Sequence, residues 1–262
     1  MRPGRTLAFG VLERDALGST LLAHARNGSP AMPDLGPREA VLAARLAWPA
    51  RRDEWIAGRA VAKAALLEVF ALPSWRVEIL PAASGAPEVH VDGARRSDLH
   101  VSITHTRHCA VAAVSLAPVG VDACDDDDGP RLPRMAKRVF DDGEAEACDA
   151  HASAETQAAV WALKEAGLKL HGGGIFMPGL RSVRVESLEP ARVADPSMRV
   201  ALYRLPHAAV AVASMHAGRA SADDSRTDPA GSGRVTRRRP GMGSVGFGWT
   251  LLSTRIVRER PG

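Results

Sequence analysis

Two stretches of this chain are written to one plan. VSITHTRHCAVAAVS from Val101 and VALYRLPHAAVAVAS from Val200 align without a gap at an offset of 99 residues, with Val, His, Ala, Val, Ala and Ser recurring in place. Two Ala/Val-rich hairpins can match this way by chance; the other reading is a duplicated α/β unit, which makes the chain two pseudo-equivalent halves joined near Pro118.

The periodicities on either side fit such a unit. Helical spacing runs over residues 37–47, 52–70, 132–139 and 155–170, and short β-branched runs mark RVEIL, EVHV, HVSIT, AVAAVS, VGVDA, RSVRVE, RVALYRL and AVAVAS. The expectation is a mixed α/β (α+β) fold with an N-terminal half over 1–117, a C-terminal half over 118–216, and a tail over 217–262 that is rich in Gly, Ser and Arg, aperiodic and therefore disordered.

The net charge of +4 belongs to that tail. Residues 217–262 hold nine Arg and four acids, which leaves 25 basic and 26 acidic residues elsewhere. A core without basic excess or an aromatic platform argues against a nucleic-acid-binding protein, and the RRRP of the tail reads as solvated. No run approaches the roughly 20 apolar residues of a membrane span, and the first residues lack a signal-like apolar stretch, so no membrane association and a cytoplasmic location are expected. The three cysteines, Cys109, Cys124 and Cys148, have neither disulfide-framework nor zinc spacing and read as reduced thiols.

The most informative helix is VWALKEAGLKLHGGG, residues 160–174. Trp161, Glu165 and Lys169 share one face beside a small stripe of Ala158, Ala162 and Ala166 that permits close packing. A solvent-facing Glu165–Lys169 pair would account for the charges on that helix alone. Upstream, however, GVDACDDDD puts Asp122 at the end of an apolar strand, where a carboxylate can project from the sheet edge. Two carboxylates, completed by substrate phosphates and water, suit Mg²⁺, so Asp122 and Glu165 are the candidate metal ligands. Asp125 to Asp128 form a run of like charges and are expected as a solvated loop.

In order and spacing, GVDAC, RVFDDGEAEAC and WALKEAGLK resemble the signature of the Sfp-type 4′-phosphopantetheinyl transferases. RRDEWIAGRAVAKAAL resembles that family's Arg-rich helix, and HVSITHTRHCAVAAVS its strand, Ser-His turn and strand. The likeness spans about residues 35–215. It implies two pseudo-symmetric α/β halves with the active site between them, and transfer of the 4′-phosphopantetheine arm from coenzyme A to a serine of an apo acyl or peptidyl carrier protein, with Mg²⁺ and release of 3′,5′-ADP. A monomer serving secondary-metabolite biosynthesis is the corresponding expectation.

Residue by residue, the resemblance implies that Asp122 and Glu165 hold Mg²⁺ against the pyrophosphate and that Lys169 lies beside the phosphates. Lys164, about 100° from Glu165 around the helix, reaches a phosphate or is solvated. Glu165 or Glu144 accepts the serine proton. Arg52, Arg59 and Lys63, with His105 at the THT turn, meet the 3′-phosphate of coenzyme A. Arg131, Arg134, Lys137 and Arg138 offer a basic patch for an acidic carrier. Three departures stand out: Cys124 where a second carboxylate is common, Ala86 in SGAPEV where a basic residue is usual, and THT for SHS. The departures leave a second reading, a degenerate homologue that binds coenzyme A or a carrier protein without transfer.

Overall fold

The computed structural model describes residues 10–12, 21–26, 35–128, 139–140, 143–144, 153–172 and 177–215. The tail over 217–262, the Arg131–Arg138 patch and Cys148 lie outside the described residues, as does most of the helix expected over 132–139.

The described chain is mixed α/β. Strands β1 (Gly10–Leu12) and β2 (Leu21–Arg26) precede helices α1 (Pro37–Ala44) and α2 (Pro49–Phe70). Then come β3 (Val77–Pro81), β4 (Pro87–Val91), β5 (Ala94–Arg95), β6 (His100–His105), β7 (Cys109–Ser115) and β8 (Val119–Asp125). Helix α3 (Ala154–Leu170) leads to β9 (Val185–Leu188), β10 (Ala191–Val193), β11 (Met198–Leu205) and β12 (Ala208–Met215). The sheets are ordered β1-β2-β7-β6, β11-β12-β8, β3-β4-β5 and β10-β9, and neighbouring strands are antiparallel throughout.

The Ala/Val runs of β7 and β12 are explained by burial on both faces. Ala110, Ala112 and Val114 pack under α2, while Cys109, Val111 and Ala113 pack against Val121, Val210 and Val212 of the neighbouring sheet. On that sheet's far side, Ala209, Ala211 and Ala213 meet α3. The result is a helix, two sheets and a helix in layers, and small side chains are what let the inner strands be covered twice.

Both long helices begin and end on local signals. Pro49 opens α2 at its first position, and Ala71 closes it at φ 52°, with its N–H turned back onto Leu66 and Leu67. Ser153 caps α3 by accepting from Thr156 N, and Glu155 stands in the positively polarised first turn.

One buried device occurs in both layers. Lys63 of α2 is 2.6 Å from Glu39 Oε2, and Glu39 Oε1 accepts from Ile79 N in β3 at 2.8 Å. Lys164 of α3 is 2.6 Å from Glu144 Oε1, which accepts from Val185 N in β9 at 2.6 Å. In each case a fully buried lysine on the long helix is neutralised by a glutamate that also accepts from a backbone N–H in the first strand of a hairpin.

The acidic run after β8 departs from its expected solvation. Asp125 is 1% exposed and accepts from the Arg107 backbone and guanidinium, while Asp126 forms a bidentate pair with Arg204 at 2.7 Å for each bond. These aspartates find cations from the β6–β7 turn and from β11, so the run fastens β8 to the β6–β7 and β11–β12 hairpins.

Candidate active site

The central group lies where β6, β8 and α3 meet. Gly120 brings them together: a Cβ there would stand 2.0 Å from Ala166 O and 2.6 Å from Leu170 N, so only glycine admits the α3 backbone at this distance. Two residues on, Asp122 emerges under the helix. Its Oδ1 accepts from Lys169 Nζ at 2.7 Å and from Thr104 Oγ1 at 2.9 Å, and Lys169 also donates to Val121 O at 3.1 Å.

Glu165 sits one turn before Lys169 and is 5% exposed. Burial pushes its carboxyl above the usual range, the nearby Asp122 charge raises it further, and Lys169 opposes both. Its Oε1 is buried without a hydrogen-bond partner. An unsatisfied carboxylate oxygen beside a second carboxylate, with one lysine between two acids, is a donor set that suits a metal cation. Hard oxygens suit Mg²⁺, and no cluster of three or more His, Cys, Asp or Glu among the described residues forms a fuller cage. The donor set therefore fits an ion whose remaining ligands are phosphate and water.

Cys124 shares the strand face of Asp122 and packs in the apolar core with Ala209 and Ala211. Burial, with help from Asp122, pushes its thiol up to about 12. A protonated thiol adds nothing to an Mg²⁺ site.

A second, cationic group lies at the first turns of α2. Arg59 stacks on Trp55 with its guanidinium carbon 3.6 Å from the ring centroid; burial lowers its pKa to about 10, against the opposing pull of Glu39, and its Nε has no hydrogen-bond partner. His105, at the end of β6, is 2.7 Å from Arg51 NH1 and 3.0 Å from Glu54 Oε2. Burial lowers the His105 pKa, Glu54 raises it, and the Arg51 and Lys169 charges lower it further. The Lys169 contribution ties this group to the first one.

The sequence reading passed over Arg51 in favour of Arg52. Helical spacing could have found it, because Trp55 and Arg59 define a face to which Arg51 belongs at i, i+4, i+8. Arg52 is half-buried, one position around the helix from that face.

Two residues expected at the phosphates, and one expected as a candidate acceptor of the serine proton, stand elsewhere. Lys63 is 1% exposed in its pair with Glu39. Lys164 has no exposed surface and donates to Glu144, Leu180 O and Val183 O. Glu144 is 1% exposed and bonded through both oxygens. Buried in these pairs, the two lysines and the glutamate are out of reach of a phosphate or a serine hydroxyl, so the structure gives all three structural roles instead.

A cleft of about 250 Å³ opens beside the site, lined by Ser84, Gly85, Ala86 and Pro87 of the β3–β4 turn, by Ile103, and by Lys169. Gly85 takes φ 87° in that turn, as a tight hairpin bend requires. The turn has no cation at Ala86, so within this cleft Lys169 is the charge nearest to Asp122.

Residues 118–208 match the family model of the 4′-phosphopantetheinyl transferase superfamily, a segment that contains Asp122, Glu165 and Lys169. No curated protein matches the chain. Among solved structures, a holo-(acyl-carrier-protein) synthase from Bacillus anthracis in complex with CoA (3′,5′-ADP) matches at 26% identity over 31% of this chain and 74% of that one. Its TM-score is 0.28, too low to define a shared arrangement of elements.

Proposed function

We propose that this protein is a 4′-phosphopantetheinyl transferase of the Sfp type. It transfers the 4′-phosphopantetheine arm of coenzyme A to a serine of an apo acyl or peptidyl carrier protein and releases 3′,5′-ADP. The observation that carries the reading is the buried Asp122–Glu165 pair, with one carboxylate oxygen unsatisfied and Lys169 bonded beside it, inside the segment matching the superfamily.

Asp122 and Glu165 would hold Mg²⁺, which when bound neutralises pyrophosphate charge and polarises the phosphoryl oxygens. Lys169 presents its ammonium from a partly exposed position and steadies Asp122 in the same act. Thr104 fixes the Asp122 rotamer through its hydroxyl. Arg51, Arg59 and His105 would form the cationic ground for the 3′-phosphate, with Trp55 stacked on Arg59. Lys169, whose charge reaches His105 and which bonds Asp122, would serve both phosphate groups of one ligand. The two carboxylates need to be ionised to bind metal, and Glu165, as a metal-linked carboxylate, would also be the group to accept the serine proton.

The two halves proposed from sequence would meet at this site, because Thr104 and His105 precede Pro118 while Asp122, Glu165 and Lys169 follow it. No helix among the described residues is long and apolar enough to cross a membrane. A cytoplasmic monomer acting on carriers of secondary metabolism completes the proposal.

Intact mass spectrometry of an apo carrier protein incubated with the enzyme, coenzyme A and Mg²⁺ tests it. The carrier should gain one phosphopantetheine on its serine, and only with metal present. An unchanged carrier accompanied by measurable coenzyme A binding would favour a degenerate homologue that binds without transfer.

A further inference from the structure

The cationic group at the start of α2 already contains an anion. Glu54 Oε2 lies 3.0 Å from His105 Nε2 and 3.4 Å from Arg51 NH1, while Arg51 NH1 lies 2.7 Å from the same Nε2. One imidazole nitrogen cannot satisfy both neighbours. It accepts the Arg51 N–H only when unprotonated, and donates to Glu54 only when protonated. Whichever state holds, one contact of the three is mismatched.

Further cations reach the group, although Glu39 acts on Arg59 and Asp122 pairs with Lys169. Arg59 is close enough for the Arg51 charge to act on it, and Lys169 is close enough to act on His105. The Glu54 side chain is 33% exposed and His105 32%, so the carboxylate can swing towards water without unpacking the core.

We propose that Glu54 is an internal place-holder, its carboxylate occupying between Arg51 and His105 the position that the 3′-phosphate of coenzyme A takes on binding. The inference rests on the transferase reading above and adds to it a residue that tempers affinity for ligands carrying a 3′-phosphate. A phosphate dianion brings three acceptor oxygens and can use the Arg51 and His105 donors together, with His105 protonated, so the mismatch at Nε2 disappears. A nucleotide without the 3′-phosphate has nothing with which to displace Glu54. The carboxylate therefore lowers affinity only for ligands that carry the group, and it shields the cations from unrelated anions when no coenzyme A is present.

Calorimetric titration of the full chain with 3′,5′-ADP and with 5′-AMP, in metal-free buffer so that Asp122 and Glu165 are not engaged, tests this. Wild type should prefer 3′,5′-ADP. Glu54→Gln should bind 3′,5′-ADP about tenfold more tightly, as expected when a competing charge leaves a charge-assisted site, with 5′-AMP affinity unchanged. Glu54→Ala should move in the same direction. If Glu54→Gln binds 3′,5′-ADP no better than wild type while wild type keeps its preference, the place-holder is overturned and the transferase reading stands. If wild type binds the two nucleotides equally, the 3′-phosphate assignment and this inference fall together.

Discussion

Lys164 Nζ lies 2.6 Å from Glu144 Oε1 with neither side chain exposed, and the same ammonium donates to the carbonyls of Leu180 and Val183. The next residue, Glu165, has an oxygen with no partner at all. Consecutive positions of α3 thus divide the work: one charge is fully satisfied and holds the following hairpin, and the other is left available to a ligand.

Removing one partner of a buried pair leaves the other charge uncompensated, an effect of about 3–5 kcal/mol. Lys164→Met should therefore lower the thermal midpoint by about 10 °C. Lys169→Met, whose side chain is 25% exposed, should lower it by less than half as much. At a temperature where both variants are folded, the order of transfer rates reverses: Lys169→Met loses about a hundredfold or more, as for deletion of a charge-stabilising group, and Lys164→Met little. A Lys164→Met protein with the wild-type midpoint would refute the anchor.

Glu165 should show the opposite balance of stability and activity. Its carboxyl is raised by burial and by Asp122, so the ionised form weakens the metal-free fold, an effect fully present above the folded pKa and lost as pH falls through it. Glu165→Gln should therefore have a metal-free midpoint at or above wild type at pH 8, with the difference shrinking as pH is lowered. Mg²⁺ needs the ionised form, so the stabilisation that Mg²⁺ gives wild type should weaken over the same pH interval and be absent from the variant, which should also be inactive. Differential scanning fluorimetry across pH with and without Mg²⁺ reads both; a variant clearly less stable than wild type at pH 8 contradicts the argument.

The Ala/Val runs of β7 and β12 announced the inner strands because twice-covered strands must be small and mostly apolar. Residues 10–12 and 21–26 carried no such signal: β1 is a three-residue edge strand, and β2, although it lies between β1 and β7, has His24 and Arg26 in its short sequence. Asp122 and Lys169 were legible as neighbours from the apolar strand and the helix spacing, although Asp122 stands in the middle of β8 and not, as expected, at its end. Lys63 and Lys164 were not: a lysine letter looks the same whether its ammonium reaches water or a glutamate 24 or 20 positions away. The acidic run misled for the same reason, since Arg107 and Arg204 reach it only through tertiary folding.

Gly120 is the narrowest tolerance in the site. Overpacking a core by a methyl group usually destabilises by about 1–3 kcal/mol because neighbouring side chains can shift. Here the obstacles are the backbone atoms Ala166 O and Leu170 N, and they belong to the helix that carries Glu165 and Lys169. Gly120→Ala should lower the midpoint by about 5 °C or more and abolish transfer even in the folded fraction, since α3 must move off Asp122. Circular dichroism melts paired with a transfer assay check it; a wild-type rate would mean that α3 can retreat without displacing its charges.

Cys124 gives the sharpest test of where the metal sits. It is 7% exposed on the face that carries Asp122, among alanines, with its thiol pushed up to about 12. Serine there should leave the Mg²⁺ requirement unchanged, because neither the protonated thiol nor a hydroxyl is a strong ligand for a hard dication. Glutamate is different. Without metal it adds a charge to a buried strand already facing Asp122, so Cys124→Glu should melt below wild type. With Mg²⁺ that charge becomes a ligand, and whatever binds the folded state alone stabilises it in proportion to its affinity. The rise in midpoint on adding saturating Mg²⁺ should therefore be larger in Cys124→Glu than in wild type, and half-maximal transfer should need less metal. An equal or smaller rise in a folded Cys124→Glu protein would show that this position faces the alanine core and not the ion.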